Sequence, residues 1–172
     1  AVDVDNIALK LCEEKGFEIM KIDLNGEQIP LPSNSVDLCT SFELVEHLWN
    51  KDNLLEEAYR ILRLGGVFIL STPNLAAWAN RLLVLFGKTQ LYYGTSLKYV
   101  LHRPSYSHIS LYTLDLLIKH LNAVGFRMLM VKGLMTAAYR KTSFISKLTV
   151  FLSRIRPSLA PDILVVARKH EG

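Results

Sequence analysis

Short apolar runs of strand length alternate along the chain with segments whose apolar residues recur at helical spacing. This alternation predicts a parallel sheet covered by helices on both faces. Asp5 or Asn6 can cap the first helix. Gly16 and Gly125 can end helices, and Pro73 can end a strand. The predicted strands are 2–4, 18–24, 36–42, 67–72, 126–131 and 163–167, and the predicted helices are 7–15, 44–48, 53–64, 113–124 and 143–156.

Residues 75–107 interrupt the alternation with an apolar helix followed by a loop rich in tyrosine and basic residues. Because the segment follows the carboxyl end of a strand, it is predicted to overhang the cleft as a lid that selects the substrate. Its apolar, aromatic character favours an aromatic or lipid-like substrate. The alternative for its helix is simple packing on the core.

Residues 139–157 are predicted to form a second insertion that contains the helix 143–156. Its apolar residues fall at helical spacing and form one stripe, with basic residues beside it. Docking of the stripe on the domain is the first interpretation, and peripheral contact with a membrane surface is the second. The stripe consists of Phe144, Ile145, Leu148, Phe151, Leu152 and Ile155.

Composition fits one globular domain, with 50% hydrophobic and 21% charged residues in 172. The net charge of +4 is mild, which makes nucleic acid an unlikely partner. Cys12 and Cys39 fit no metal-binding spacing, so two reduced thiols and a cytoplasmic location are expected. No apolar stretch is long enough to predict a membrane-spanning helix.

Four segments together resemble a known family: Val2-Asp3-Val4, Ile22-Asp23-Leu24, residues 36–47 and residues 64–74. Their order is similar to that of the class I S-adenosylmethionine-dependent methyltransferases from the second strand onward. The resemblance implies a Rossmann-like, doubly wound, mostly parallel α/β sheet. It also implies that the family's central first strand and glycine-rich loop lie outside this chain. We expect the chain to fold poorly unless an upstream segment or another chain supplies that strand.

The resemblance implies S-adenosylmethionine as the cofactor. An acid at a strand end, such as Asp3, can accept two hydrogen bonds from ribose hydroxyls, although a helix-capping role is the alternative. By resemblance, Asp23 would receive the adenine amino group and Leu24 would lie against the ring. Ser41 and Phe42, at the next strand's end, are expected to line the same pocket.

Glu43, Glu46 and His47 would share one face if their segment is helical, and could hold Mg²⁺ or another divalent metal. This spacing resembles that of ubiquinone-biosynthesis O-methyltransferases. It also resembles the methyltransferases that modify the 3′-terminal ribose of small RNAs, where His108 would take the place of a further histidine. Without metal, His47 or His108 could be a general base, or both could be hydrogen-bonded residues of the cleft.

These observations predict methyl transfer to a small or lipid-linked acceptor, at oxygen rather than nitrogen or carbon. A non-catalytic or truncated remnant of the methyltransferase fold is the first alternative. Metal-assisted 2′-O-methylation of RNA ribose is the second, and the basic residues near the C-terminus could serve an anionic partner or merely form a basic surface.

Overall fold

The computed structural model describes residues 1–88, 108–135 and 144–170. Within these ranges six strands alternate with five helices, as the hydrophobic pattern predicts. The tyrosine-rich part of the predicted lid lies outside the described residues. The elements are β1 (Val2–Asp3), α1 (Asn6–Glu13), β2 (Met20–Lys21), β3 (Val36–Phe42), α2 (Lys51–Ile61), β4 (Leu62–Pro73), α3 (Trp78–Leu85), α4 (Leu114–Val124), β5 (Phe126–Leu134), α5 (Phe144–Ile155) and β6 (Asp162–Lys169).

The strands form two separate sheets. β1 and β2 pair in parallel, and the larger sheet has the order β3-β4-β6-β5. β3 and β4 are parallel, whereas β6 runs antiparallel to both of its neighbours. Among the described strands, β1 and β3 each have only one partner and therefore one free edge. The prediction of a Rossmann-like α/β fold is confirmed.

Asparagine side chains connect the small sheet to the larger one in place of strand pairing. Asn25, just beyond β2, accepts a hydrogen bond from the backbone N–H of Trp49 (3.0 Å) and a second from that of Asn50. Asn53, in the first turn of α2, donates to the carbonyl of Leu24 at 2.9 Å. These bonds fix the carboxyl end of β2 beside the start of α2, which brings the ends of both sheets to one region of the molecule.

The end of α2 differs from the sequence prediction. The predicted helix 53–64 is wrong beyond Ile61, because Leu62 is already extended and pairs with Val36 at the start of β4. The Lys169 ammonium takes the place of a helix cap. It donates to the carbonyls of Tyr59 (2.7 Å) and Leu62 (2.8 Å) at the end of α2. A lysine about a hundred residues away thus sets where the helix stops.

Other boundaries follow their local signals. Asp5 accepts from the backbone N–H of Ile7 at 2.8 Å, which confirms it as the cap of α1. Gly125 ends α4 with a left-handed φ of 112° and lies against the ring of Tyr59. The core lies between the larger sheet, α2 and α4, and its fully buried members include Leu55, Leu62, Phe68, Leu70, Leu117, Leu121, Ile163 and Val165.

The helix α5 contacts the domain mainly through a side of small hydroxyl residues, which the sequence analysis did not predict. It buries Ser146, Thr149 and Ser153, whereas Phe151 and Ile155 of the apolar stripe are 60% and 59% exposed. The predicted docking of the stripe on the domain is therefore wrong for Phe151 and Ile155, whereas Leu148 and Leu152 are partly buried. None of the described helices is both long and apolar enough to cross a membrane.

Candidate functional site

A pocket of about 150 Å³ opens at the carboxyl ends of β1 and β2. Asp3, Asp23 and Leu24 line it, and His47 lines it from the facing segment. Carboxyl ends of parallel strands are where open α/β sheets bind ligands. The volume is half of the roughly 300 Å³ at which small-molecule pockets begin, so these residues alone would enclose only part of such a ligand.

Both acids in this pocket hold their own turns as well. The Oδ1 atom of Asp3 accepts from the backbone N–H of Asp5 at 2.9 Å. The Oδ1 atom of Asp23 accepts from the backbone and side-chain amides of Asn25, each at 2.9 Å. In each acid the hydrogen bonds within the described residues use Oδ1 alone, which leaves Oδ2 for a ligand. Asp5, not Asp3, caps α1, and the turn-forming bonds of Asp3 and Asp23 are compatible with a ribose- or adenine-binding role.

Leu24 is buried in the core and still forms part of the pocket wall. Ser41 and Phe42 stand at the carboxyl end of β3 and are not among the lining residues of this pocket. Ser41 is buried, and its Oγ has no hydrogen-bond partner within the described residues. Phe42 is more than half exposed beside the free edge of β3. The predicted cofactor residues thus form two groups. Asp3, Asp23 and Leu24 line the pocket, whereas Ser41 and Phe42 lie at the end of β3.

A second cluster lies next to the pocket and joins Glu46, His47 and His108. One ligand atom from each of the three lies within 4.8 Å of the others. The imidazole rings of His47 and His108 meet edge to face with centroids 4.9 Å apart, and Nε2 of His47 is 3.9 Å from Oε1 of Glu46. The backbone N–H groups of Ile109 and Ser110 donate to the carbonyl of Glu46. These two bonds hold His108 beside residues that precede it by sixty positions.

Glu46 is the most deeply buried charged group of the site. Burial raises the pKa of its carboxyl to about 7, and the nearby charge of Glu43 adds to the rise. Its Oε2 accepts from Thr72 Oγ1 at 3.1 Å, while Oε1 has no hydrogen-bond partner within the described residues. Burial also lowers the pKa of Lys51 to about 8, although the charge of Glu46 opposes this shift. The cluster's acid, Glu46, and the nearby amine of Lys51 therefore both have pKa values close to neutrality.

Glu43 does not join the group with metal-ligand spacing. The helix predicted over 44–48 is instead a short 3-10 turn over Val45–His47. Glu43 precedes this turn and has a left-handed φ of 49°. Its side chain turns to Ser71, whose hydroxyl donates to Glu43 Oε1 at 2.7 Å. Such a conformation is costly for a residue with a side chain and is found mostly where structure serves function.

Asp162 is a member of the site that the sequence reasoning missed. It begins β6, lies opposite Pro73 of β4, and is only 4% exposed. Burial raises the pKa of its carboxyl to about 7, and the charges of Glu43 and Glu46 raise it further. The signal available in the sequence is an acid at the start of an apolar strand, whereas Asp3 and Asp23 stand at or near strand ends. Its partners become evident only when β6 is placed antiparallel to β4.

Comparison with known proteins shows which proteins this chain is similar to. Residues 1–70 match the family described as methyltransferase domain. A Mycolicibacterium smegmatis protein named a probable S-adenosylmethionine-dependent methyltransferase is 48% identical over 50 residues, which are 29% of this chain and 20% of that protein. The chain thus spans about a fifth of the length of this curated relative.

Solved structures agree over almost the whole chain. A SAM-dependent methyltransferase of Thermotoga maritima superposes with a TM-score of 0.68 at 15% identity, covering 98% of this chain and 72% of that one. The [4+2]-cyclase SpnF superposes with a TM-score of 0.61 at 16% identity, covering 99% and 65%. Identities this low establish the fold alone. The chain has the fold of the class I S-adenosylmethionine-dependent methyltransferases, and its first 70 residues match their methyltransferase domain.

Proposed function

We propose that this domain transfers a methyl group from S-adenosylmethionine to a hydroxyl oxygen of a small or lipid-linked acceptor. The observation that carries the proposal is the position of His47. Its imidazole lines the strand-end pocket and also belongs to the cluster with Glu46 and His108. A cofactor held by Asp3 and Asp23 would therefore lie beside a group able to handle the acceptor's proton.

In this reaction the acceptor oxygen forms a bond to the methyl carbon while the carbon–sulfur bond of the sulfonium breaks. S-adenosylhomocysteine leaves, and the hydroxyl proton passes to the imidazole of His47. His47 suits this role better than His108, because its side chain is 38% exposed whereas His108 is buried. Because the sulfonium is already activated, alignment of donor and acceptor contributes most of the rate acceleration.

The same residues fit a divalent cation. Glu46 offers a buried carboxylate oxygen with no hydrogen-bond partner in the described ranges, and His47 and His108 offer imidazole nitrogens. Two imidazoles with one carboxylate favour Mn²⁺, Fe²⁺ or Zn²⁺ over Mg²⁺, which prefers oxygen ligands. When bound, such a cation would lower the pKa of an acceptor hydroxyl.

Cofactor binding is tested by calorimetric titration of S-adenosylhomocysteine into the folded chain. Asp23→Asn is expected to weaken binding at least about tenfold, since a lost charge-assisted hydrogen bond costs about 1.5–3 kcal/mol. Asp37→Asn is the matched control, because Asp37 lies at the opposite end of β3 on an exposed surface. Equal affinities for the two variants would remove the adenine-binding role of Asp23.

The cluster is tested separately by titrating Mn²⁺ and then assaying hydroxylated acceptors with and without a chelator. His108→Ala should abolish Mn²⁺ binding, whereas His120→Ala should not, because His120 bonds Asp52 and Tyr112 outside the cluster. Methyl transfer that persists in chelator and is lost in His47→Ala would support the metal-free base. A folded chain that binds no cofactor would favour the non-catalytic remnant. The [4+2]-cyclase SpnF, which has this fold, shows that the fold alone does not determine the reaction.

A further inference from the structure

The helix α5 exposes two large apolar side chains of its stripe, Phe151 and Ile155, to solvent. Ser146, Thr149 and Ser153 recur at intervals of three and four and form the buried side of the helix. Phe151 and Ile155 lie on the opposite side at 60% and 59% exposure. A helix normally buries its apolar stripe and exposes its polar one, so this arrangement leaves Phe151 and Ile155 to a partner outside the domain.

Basic side chains border the exposed stripe. At about 100° per residue, Lys147 and Arg154 fall on the same flank of the helix, next to Phe151. Both are exposed, as is Arg156 directly after the helix. Between residues 58 and 161 the sequence holds 14 Lys and Arg but a single acid, Asp115. The helix α5 itself carries no acid, so its exposed charged side chains are all positive.

The helix α3 exposes a second group of apolar side chains. Trp78 Nε1 donates to Thr149 Oγ1 at 3.0 Å, which ties the start of α3 to the inner side of α5. The second half of α3 and the residue after it expose large apolar side chains. Arg81 and Lys88 accompany them, and α3 carries no acid. The exposed apolar residues are Leu82, Val84, Leu85 and Phe86.

We propose that the outer face of α5 lies on the surface of an anionic lipid bilayer. Phe151 and Ile155 would enter the boundary between headgroups and acyl chains, and Lys147 and Arg154 would contact lipid phosphates. The inference goes beyond the proposed methyl transfer, because it concerns where the domain resides and not what it catalyses. Exposed phenylalanine and isoleucine with flanking cations match an interfacial helix.

The test is sedimentation of the chain with phosphatidylcholine vesicles that contain either no anionic lipid or about 30% phosphatidylglycerol. We expect binding to the anionic vesicles only, weakened several-fold when NaCl is raised from about 0.1 to about 0.5 M. The double variant Phe151→Ser/Ile155→Ser should lower the partition coefficient at least about tenfold. Lys147→Gln/Arg154→Gln should lower it several-fold while keeping the apolar contacts.

Leu116→Ser is the matched control, since Leu116 is 52% exposed on α4, away from this face. It should bind vesicles like the unaltered chain, and circular dichroism should show all variants equally folded. Three results would overturn the proposal: no binding to anionic vesicles, equal binding by the double variant, or a concentration-dependent dimer that the double variant dissociates. Tighter binding to RNA than to vesicles, lost in the glutamine variant alone, would assign the surface to nucleic acid instead.

Discussion

The buried carboxyl of Asp162 predicts that the chain loses stability as pH rises. Its pKa rises from 3.8 to about 7 on folding, chiefly because it leaves water and also because Glu43 and Glu46 lie near. One pKa unit corresponds to about 1.36 kcal/mol, so the ionised carboxylate costs at most about 4 kcal/mol in the folded state. With only 4% of the residue exposed, solvent screening reduces this cost little.

The sign follows from proton binding. Because the folded-state pKa lies above the unfolded one, the folded chain holds more protons between about pH 4 and pH 7. The contribution of Asp162 is therefore fully present below pH 4 and is lost as pH rises through 7. Asp162→Asn removes this titration. Relative to the unaltered chain, we expect the variant's free energy of unfolding to gain about 2–3 kcal/mol between about pH 5 and pH 8.

Urea unfolding in chelator, followed by circular dichroism at both pH values, measures this difference. Comparing the two pH values cancels any effect of the amide on packing, because that effect is present at both. Asp37→Asn should show no such change, since Asp37 is largely exposed beside Arg63. A gain below about 0.5 kcal/mol would refute the reasoning and mean that Asp162 is already ionised in the folded chain at pH 5.

Two further substitutions test the fold. Gly125→Ala should lower the free energy of unfolding by about 1–3 kcal/mol, measured by urea denaturation, because the residue has a φ of 112° and a new Cβ would lie 2.9 Å from the ring of Tyr59. Gly26→Ala, with open space around its Cβ position, is the control and should change stability by less than about 1 kcal/mol. Leu38→Lys should reduce concentration-dependent self-association in sedimentation velocity, because Leu38 is exposed on β3, whose free edge can pair with another copy. Leu116→Lys should leave association unchanged. Equal association in both variants would mean that self-association does not occur through the β3 edge.

The element order and the positions of the acids near strand ends can be predicted from the sequence, because both depend on local signals. Asp5 caps α1 and Gly125 ends α4 through atoms within a few residues of each other. Long-range contacts account for the failures. Lys169 sets the end of α2 through its bonds to Tyr59 and Leu62. Asp162 becomes a site residue only because β6 inserts between β4 and β5.

The orientation of α5 shows a different limit. Periodicity indicates which residues share a side of a helix, but both the apolar stripe and the Ser146-Thr149-Ser153 side repeat at helical spacing. Which side turns inward depends on the space beside α3, where the indole of Trp78 meets Thr149. That space favours small hydroxyl side chains, and the sequence of α5 alone does not encode it.

The two functions of Glu46 reside in different atoms of one residue. Its backbone carbonyl holds the segment that carries His108, whereas its side chain faces Thr72 and the imidazoles. Any amino acid at this position retains the carbonyl, so the architecture of the histidine pair can outlast the loss of the carboxylate. Descendants of such a domain could therefore exchange the chemistry of position 46 in a single step while inheriting an intact scaffold for it.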